Sequence, residues 1–257
     1  MIHYTHEYLL NPAHKVTIDL VGMGGTGSQV LTNLSRMNEA MLKLGHPGLH
    51  VRAWDPDEVT EANMGRQLFS RSDIGQNKAI VLITRVNRFF GTEWESRAEK
   101  FSGRHFSNLL ITCVDTAKAR VQIGERLSGI SKKKFEPMDQ PYYWLDIGNL
   151  QKTGQVVLGT IQRIKQPPVH PASNKKHTSM LANVIKKFPQ LKRIKEVNQG
   201  PSCSLAEALE KQDLFINSTL AQFGCNLIWK LFREGNLVYH GCYVNLETFN
   251  VNPIRIK

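Results

Sequence analysis

Cysteines and long apolar runs are scarce in this sequence. Its 257 residues include four cysteines, Cys113, Cys203, Cys225 and Cys242. No two of them form a CxxC pair, so neither a zinc-binding pattern nor a disulfide framework is expected. No stretch reaches the length of a membrane span, and His3, His6 and Glu7 stand where a secretory signal would need its apolar segment. We therefore expect a cytoplasmic protein with no membrane partner.

Acidic residues are missing from one long stretch of a basic chain. The sequence carries 33 Lys and Arg against 22 Asp and Glu, a formal net charge of +11. Between residues 151 and 200 the only acid is Glu196. Ten basic residues occur there: Lys152, Arg163, Lys165, Lys175, Lys176, Lys186, Lys187, Lys192, Arg193 and Lys195. Such a surface attracts polyanions or an acidic protein face, but it lacks the interleaved aromatics of base-stacking surfaces. Nucleic acid is therefore an alternative partner that the sequence does not favour.

Four glycines follow an apolar, β-branched run in the segment VTIDLVGMGGTGS. They are Gly22, Gly24, Gly25 and Gly27. The pattern predicts a strand, a tight loop and a helix, in which the loop backbone and the helix N-terminus can hold a phosphate. Loops of this kind serve NAD, FAD and ATP proteins alike, and a tight turn without a ligand is an alternative.

Apolar runs alternate with helix-forming segments along the chain. Strands are predicted at 16–21, 49–54, 109–114, 142–147, 155–161, 237–244 and 249–256, and helices from the glycine loop to 44 and at 77–90, 117–127, 180–188, 205–212 and 219–234. This order predicts one α/β domain with a Rossmann-like, mostly parallel sheet, helices on both faces, a long crossover loop and a C-terminal strand pair. We divide the chain into a nucleotide-binding core at 1–161, a basic crossover loop at 162–200 and C-terminal helices and strands at 201–257 that complete the same domain.

Charged residues follow the next two strands. Asp55 ends the second strand, where such folds hold ribose hydroxyls. It lies 33 positions after Gly22, whereas the NAD fingerprint uses about 20. Arg66 and Lys78 are cations suited to a triphosphate, and Asp115 is a carboxylate suited to Mg²⁺. The sequence therefore favours ATP with Mg²⁺, and an NAD(P) or FAD oxidoreductase is the alternative.

Four ordered motifs resemble a known superfamily. The segments GMGGTGS, DPDEVTEANMGRQ, DIGQNKA and CVDTAKAR resemble the pattern GxGGxGS, DxDxVxxxNxxRQ, DxGxxKA and CxDNxxxR of ThiF, MoeB and ubiquitin-activating enzymes. The segments SDIGQNKAIVLITRVNRFFG, GHPGLHV and PSCSLAEALEKQDLFIN are similar to the ThiF-family members of PRTRC cassettes, which implies an origin on plasmids or integrated elements.

The superfamily resemblance implies adenylation of a carboxylate. The C-terminal carboxylate of a ubiquitin-like or other small protein would attack the α-phosphorus of ATP and expel pyrophosphate, and relatives are commonly homodimers. Residues 1–161 would form the ATP-binding adenylation core. Carried over by motif, Gly22, Gly24, Gly25 and Gly27 would cradle phosphate, Asp55 and Asp57 would serve the nucleotide, Asn63, Arg66, Gln67 and Lys78 would line the triphosphate, and Asp115 would hold Mg²⁺. Arg66, Lys78 and Asp115 would be catalytic.

The sequence departs from the superfamily pattern in two places. Thr116 replaces the Asn that follows the motif aspartate. Relatives also lend an arginine from a partner subunit's N-terminal segment to the phosphates, but residues 1–15 contain no arginine. Lys15, His6 or His14 would have to substitute, or the contact is missing.

Cys203 is the candidate for accepting the acyl group as a thioester. Thioester-forming relatives keep a cysteine after the crossover, and Ser204 with Glu207 forms a capping-box pattern that would place Cys203 at a helix N-terminus, where thiolate is favoured. A small structural residue is the alternative. Cys113 and Cys225 lie in apolar patterns and are predicted to be core residues. A non-catalytic, nucleotide-dependent binding module is the third interpretation of the whole chain.

Overall fold

An eight-stranded sheet forms the centre of the fold. The computed structural model describes residues 1–65, 67–103, 106–130, 135–168, 176–194 and 212–257. In these ranges the strands are β1 (His3–Tyr4), β2 (Val16–Val21), β3 (Leu49–Trp54), β4 (Glu95–Arg97), β5 (Leu109–Thr112), β6 (Tyr143–Asn149), β7 (Thr153–Thr160), β8 (Asn236–Leu237), β9 (Tyr239–Asn245) and β10 (Asn250–Arg255). The helices are α1 (Glu7–Leu10), α2 (Gly25–Lys43), α3 (Lys78–Phe90), α4 (Ala117–Ile130), α5 (Val184–Lys187) and α6 (Ile216–Arg233), with 3₁₀ turns at Glu61–Asn63, Arg71–Asp73 and Pro189–Arg193.

The large sheet has the order β10-β9-β7-β6-β5-β2-β3-β4. Strands β4, β3, β2, β5 and β6 run parallel, and β7, β9 and β10 are joined in antiparallel pairs. The remaining strands, β1 and β8, form a separate two-stranded pair. The predicted mostly parallel sheet and C-terminal strand pair are confirmed. In a parallel sheet of this kind, ligands bind beyond the carboxyl ends of the strands.

Side chains that alternate along the central strands build two apolar clusters. Leu145 and Ile147 of β6 belong to the larger cluster, whereas Trp144 between them belongs to the smaller one. Successive residues of a strand point to opposite faces, so the clusters lie on the two faces of the sheet. Leu220 of α6 joins the first cluster and Ile123 of α4 joins the second. Helices thus cover both faces, as the sequence predicts.

The described part of the crossover segment packs against the sheet. Ile164, Leu181 and Val184 are buried. The helix predicted at 180–188 is shorter than expected, because Asn183 caps α5 by accepting the N–H of Lys186 and a 3₁₀ turn begins at Pro189. The helix predicted at 205–212 lies outside the described residues, apart from its last position. None of the described helices is long and apolar enough to cross a membrane.

Candidate functional site

The glycine loop between β2 and α2 folds as the sequence predicts. Gly22 has φ +90°, a left-handed conformation that other residues rarely adopt. A Cβ atom on Gly22 would lie 2.7 Å from the carbonyl oxygen of Cys113, and one on Gly27 would lie 1.7 Å from the carbonyl oxygen of Gly22. The turn itself therefore requires both glycines. Gly27 packs behind the loop and does not line the cleft at this edge of the sheet.

Gly24 and Gly25 face that cleft. Among the described residues the nearest atom to a Cβ built on Gly24 is Gln67 Nε2, at 4.0 Å, so these residues leave the space beside Gly24 open. Gly24 is also the N-cap of α2, and no side chain of the described residues caps the helix. The first N–H groups of any helix have no partner within the helix, and those of α2 begin at the cleft. The positive end of the helix dipole lies there too. This arrangement suits a phosphate group.

Asp55 ties the glycine loop to the end of β3. Its Oδ2 accepts the N–H of Met23 at 2.6 Å, and its Oδ1 accepts the N–H of Asp57 at 2.8 Å. Burial raises the pKa of Asp55, while the two N–H donors and Lys78 oppose that shift. The carboxylate lines the cleft, and its predicted contact with ribose stays a prediction.

Lys78 lies at the start of α3 with its ammonium largely enclosed. Its side chain is 11% exposed, and Nζ lies 3.5 Å from Oδ2 of Asp57, whose side chain is 67% exposed. The preceding Asn77 accepts the N–H of Ile80 and donates to the carbonyl oxygens of Asp55 and Asp57. The start of α3 is therefore fixed to the end of β3, and a cation is held at the cleft.

Asn63 and Gln67 bring two amides to the same wall of the cleft. Asn63 accepts the N–H of Thr60 at 2.9 Å and so closes a capping box on a 3₁₀ turn. The N–H of Gln67 donates to the carbonyl oxygen of Asn63. The Oε1 atom of Gln67 is buried and has no hydrogen-bond partner among the described residues. Buried polar atoms are usually paired, so this amide is suited to a ligand in the cleft.

Asp115 follows β5, is exposed and lines the same cleft. Thr116, which departs from the superfamily pattern, accepts the N–H of Ala119 at 3.1 Å through its hydroxyl. The substituted residue therefore caps the start of α4 without displacing Asp115. The described residues contain no group of three His, Cys, Asp or Glu side chains that could hold a metal ion. A single carboxylate beside phosphates is nevertheless a usual setting for Mg²⁺.

A buried ion pair joins α4 to β6 and, through Thr112, to β5. Arg120 Nε lies 3.1 Å from Asp146 Oδ2, and both side chains are almost fully buried. Asp146 also accepts the hydroxyl of Thr112 at 2.6 Å, and Trp144 donates to that hydroxyl at 2.8 Å. The motif CVDTAKAR contains Arg120, but nothing in its pattern predicted this network.

The cleft has a volume of about 740 Å³. It brings together Gly22, Gly24, Gly25, Asp55, Asp57, Asn63, Gln67, Lys78 and Asp115 of the predicted site. Further lining residues that the sequence did not predict include Trp54, Phe101, Ile123, Lys100, Lys118, Arg126, Gln212 and Asn217. Trp54 and Phe101 meet edge to face with ring centroids 5.4 Å apart and form an apolar wall. Lys118, Gln212 and Asn217 lie in the segments that resemble relatives, but no pattern in the sequence assigns them to the cleft.

Two predicted catalytic residues, Arg66 and Cys203, lie outside the described residues. Cys113 and Cys225 are buried in the larger apolar cluster, as predicted. Burial raises the pKa of Cys113 well above its usual range and that of Cys225 to about 12, so neither is a thiolate at neutral pH. His6, His14 and Lys15 do not line the cleft of their own chain, and a role toward a partner subunit stays a prediction.

Comparison with known proteins agrees with this geometry. Residues 6–135 match the model of the ThiF family. The fold is similar to that of PaaA, with a TM-score of 0.57 and 14% sequence identity, over 94% of this chain and 64% of PaaA. It is also similar to Escherichia coli MccB with MccA-N7isoASN, with a TM-score of 0.54 and 15% identity, over 96% of this chain and 65% of MccB. The chain thus spans less than two thirds of either protein, and curated sequences gave no match. Because the family model covers half of its length, the chain belongs to the ThiF family.

Proposed function

We propose that this protein adenylates a carboxylate with ATP. The observation that carries the proposal is one cleft in which an uncapped helix N-terminus, the enclosed ammonium of Lys78 and the carboxylate of Asp115 converge. Membership of the ThiF family supports the same reaction.

The lining of the cleft suits the phosphates, the purine ring and the Mg²⁺ of a bound ATP. The N–H groups at the start of α2 and Lys78 suit the phosphates. The apolar wall of Trp54 and Phe101 suits a purine ring, since aromatic side chains provide stacking area. Asp115 would hold Mg²⁺, which neutralises phosphate charge when it is bound.

The reaction that fits this site is displacement at the α-phosphorus. A carboxylate oxygen attacks that phosphorus, the bond to the β-phosphate bridging oxygen breaks, and pyrophosphate leaves with both bonding electrons. Lys78 and the loop N–H groups stabilise the charge that moves onto the leaving group. The protein's contribution is therefore positioning and charge stabilisation.

The carboxylate belongs, in this proposal, to the C-terminus of a peptide or small ubiquitin-like protein. The superfamily resemblance supports this class, and one of the similar structures, MccB, was solved with MccA. A role of Arg66 at the phosphates, transfer of the acyl group to Cys203 and assembly as a homodimer belong to the same proposal.

Nucleotide binding and exchange test the proposal directly. We expect calorimetry to detect Mg²⁺-ATP and not NAD. Asp115→Ala should slow ATP–pyrophosphate exchange, with a peptide ending in Gly-Gly as the carboxylate, by on the order of a hundredfold. Glu125→Ala removes an exposed carboxylate of α4 outside the cleft and should change neither measurement. Binding of NAD without binding of ATP would refute the proposal.

A nucleotide-dependent module that binds nucleic acid is the second candidate. Seven basic residues of the described crossover ranges support it: Arg163, Lys165, Lys176, Lys186, Lys187, Lys192 and Arg193. None of them forms an ion pair with another described residue. This candidate predicts ATP binding without pyrophosphate exchange.

A further inference from the structure

Asn217 at the start of α6 packs against the glycine loop. Its side chain is almost fully buried and lines the cleft. A Cβ atom built on Gly25 would lie 2.5 Å from Asn217 Nδ2, so the amide occupies the space beside that glycine. Gly25 therefore serves a second purpose, because its missing side chain admits Asn217 to the N-terminus of α2.

The amide of Asn217 joins three separate segments by hydrogen bonds. Its Oδ1 accepts the hydroxyl of Thr26 at 2.8 Å and the Nδ2–H of Asn149 at 3.1 Å. Its Nδ2 donates to Gln212 Oε1 at 3.3 Å. Thr26 belongs to the first turn of α2 and Asn149 ends β6. Gln212 is the residue at which the described chain resumes after residues 195–211.

These contacts hold the part of α2 that would meet a phosphate. Thr26 is the second residue of the helix, and its N–H belongs to the group without a helical partner. The direction in which this N–H points depends on the first turn of the helix, which consists of Gly25, Thr26 and Gly27. Two of these three residues are glycines, whose backbone has more conformational freedom than that of other residues. Contacts from outside the helix therefore help to fix the turn.

We propose that Asn217 is a positioning residue that orients the glycine loop for nucleotide phosphates. The inference rests on the proposed ATP-dependent function. Asn217 acts through its hydrogen bond with Thr26 and its packing against Gly25, and not through contact with the reacting atoms. Because Asn217 also donates to Gln212, the geometry of the glycine loop depends on the position of the segment that follows the crossover.

Nucleotide affinity distinguishes this role from a purely structural one. Asn217→Ala should raise both the Kd and the KM for Mg²⁺-ATP by about three- to tenfold, the effect expected when the hydrogen bond that orients Thr26 is lost. Thr26→Val should give a similar rise because it removes the hydroxyl without changing the shape, whereas Thr26→Ser should retain wild-type affinity. Asn226→Ala is the matched control, since Asn226 is exposed on the same helix and lies outside the cleft.

The double variant Thr26→Val/Asn217→Ala measures the coupling between the two residues. We expect it to bind no more weakly than the weaker single variant, because both changes break the same hydrogen bond. Fully additive losses, or wild-type affinity in Asn217→Ala with only a lower Tm, would overturn the inference. If Asn217→Ala does not fold, the comparison of Thr26→Val with Thr26→Ser decides the matter alone. If the wild-type protein binds no ATP, the proposed function fails and the inference fails with it.

Discussion

At the scale of single residues, the glycines of the loop are needed for two different reasons, close packing of the backbone and room for a ligand. The motif alone does not show which glycine serves which. Gly22 and Gly27 are needed because the chain passes too close to its own carbonyl oxygens for a Cβ atom. Gly24 has open space beside it and borders the cleft. The first two positions therefore serve folding, and the third leaves room for a ligand.

Two alanine substitutions should separate these requirements. Gly27→Ala should cost about 3 kcal/mol of unfolding free energy or more, because the new Cβ would overlap the carbonyl oxygen of Gly22. Gly24→Ala should keep the wild-type Tm and weaken Mg²⁺-ATP binding by roughly tenfold, or about 1.4 kcal/mol. Thermal melts and calorimetry on both variants check this. An unstable Gly24→Ala variant would contradict the assignment.

At the scale of elements, two histidines fasten the N-terminal segment to β6. His3 Nδ1 lies 2.8 Å from the carbonyl oxygen of Thr178, which can only accept, so Nδ1 carries the proton. His3 Nε2 then accepts the hydroxyl of Tyr143 at 2.9 Å. The same hydroxyl accepts the N–H of His6 at 3.2 Å. The contact between β1 and β6 thus depends on a neutral imidazole.

Acid should therefore loosen this segment. Burial lowers the pKa of His3 below its ordinary value of 6.5, and burial also lowers the pKa of His6, His46 and His240. The folded state then binds fewer protons than the unfolded state once the pH falls below 6.5, so stability is complete above that pH and declines beneath it. We expect the Tm to fall between about pH 7 and pH 5.

A pair of variants tests the contribution of His3. His3→Gln should flatten the dependence of Tm on pH, because one buried titrating group is gone. His14→Gln alters an exposed histidine and should leave the profile unchanged. If the Tm of wild type and of His3→Gln depended on pH in the same way, protonation of His3 would not be a cause of the loss of stability in acid.

How well the sequence predicts an element depends on where its signals lie. Helix α2 and strand β3 were predicted to within about one residue, because apolar periodicity and flanking glycines are local. Strands β1 and β4 were missed because they are two and three residues long and depend on distant partners. The site shows the same division. The motifs predicted Asp55 and Lys78, but Asn217 bonds to Thr26 across 191 positions.

At the scale of the whole molecule, positive charge is concentrated outside the cleft. The chain has no acidic residue between Asp146 and Glu196. The described crossover residues run from the end of β7 to α5 and the 3₁₀ turn at Pro189–Arg193, which packs against α4. The surface carries an uncompensated field that attracts polyanions at low salt.

We expect weak, sequence-independent binding of DNA that falls steeply with salt. Fluorescence polarisation with a duplex of about 20 base pairs should detect binding near 50 mM salt and lose most of it near 200 mM, because released counterions drive the association. At about 50 mM salt the double variant Lys186→Glu/Lys187→Glu should bind the duplex more weakly than the wild type. Lys43→Glu with Arg36→Glu makes an equal change of charge at two exposed sites on α2 and should weaken binding less. Equal loss in both would show that net charge, and not the crossover surface, attracts the DNA.

The two edges of the large sheet limit how copies of this molecule can associate. At one edge, β4 has only three residues, including Glu95 and Arg97. At the other, β10 contains Pro253, which has no N–H, and its register shifts between Pro253 and Arg255. Short, charged or interrupted edges are poor templates for a further strand. The sheet is therefore protected against end-to-end growth into fibres, and any homodimer should join through helices or loops instead of by extending the sheet.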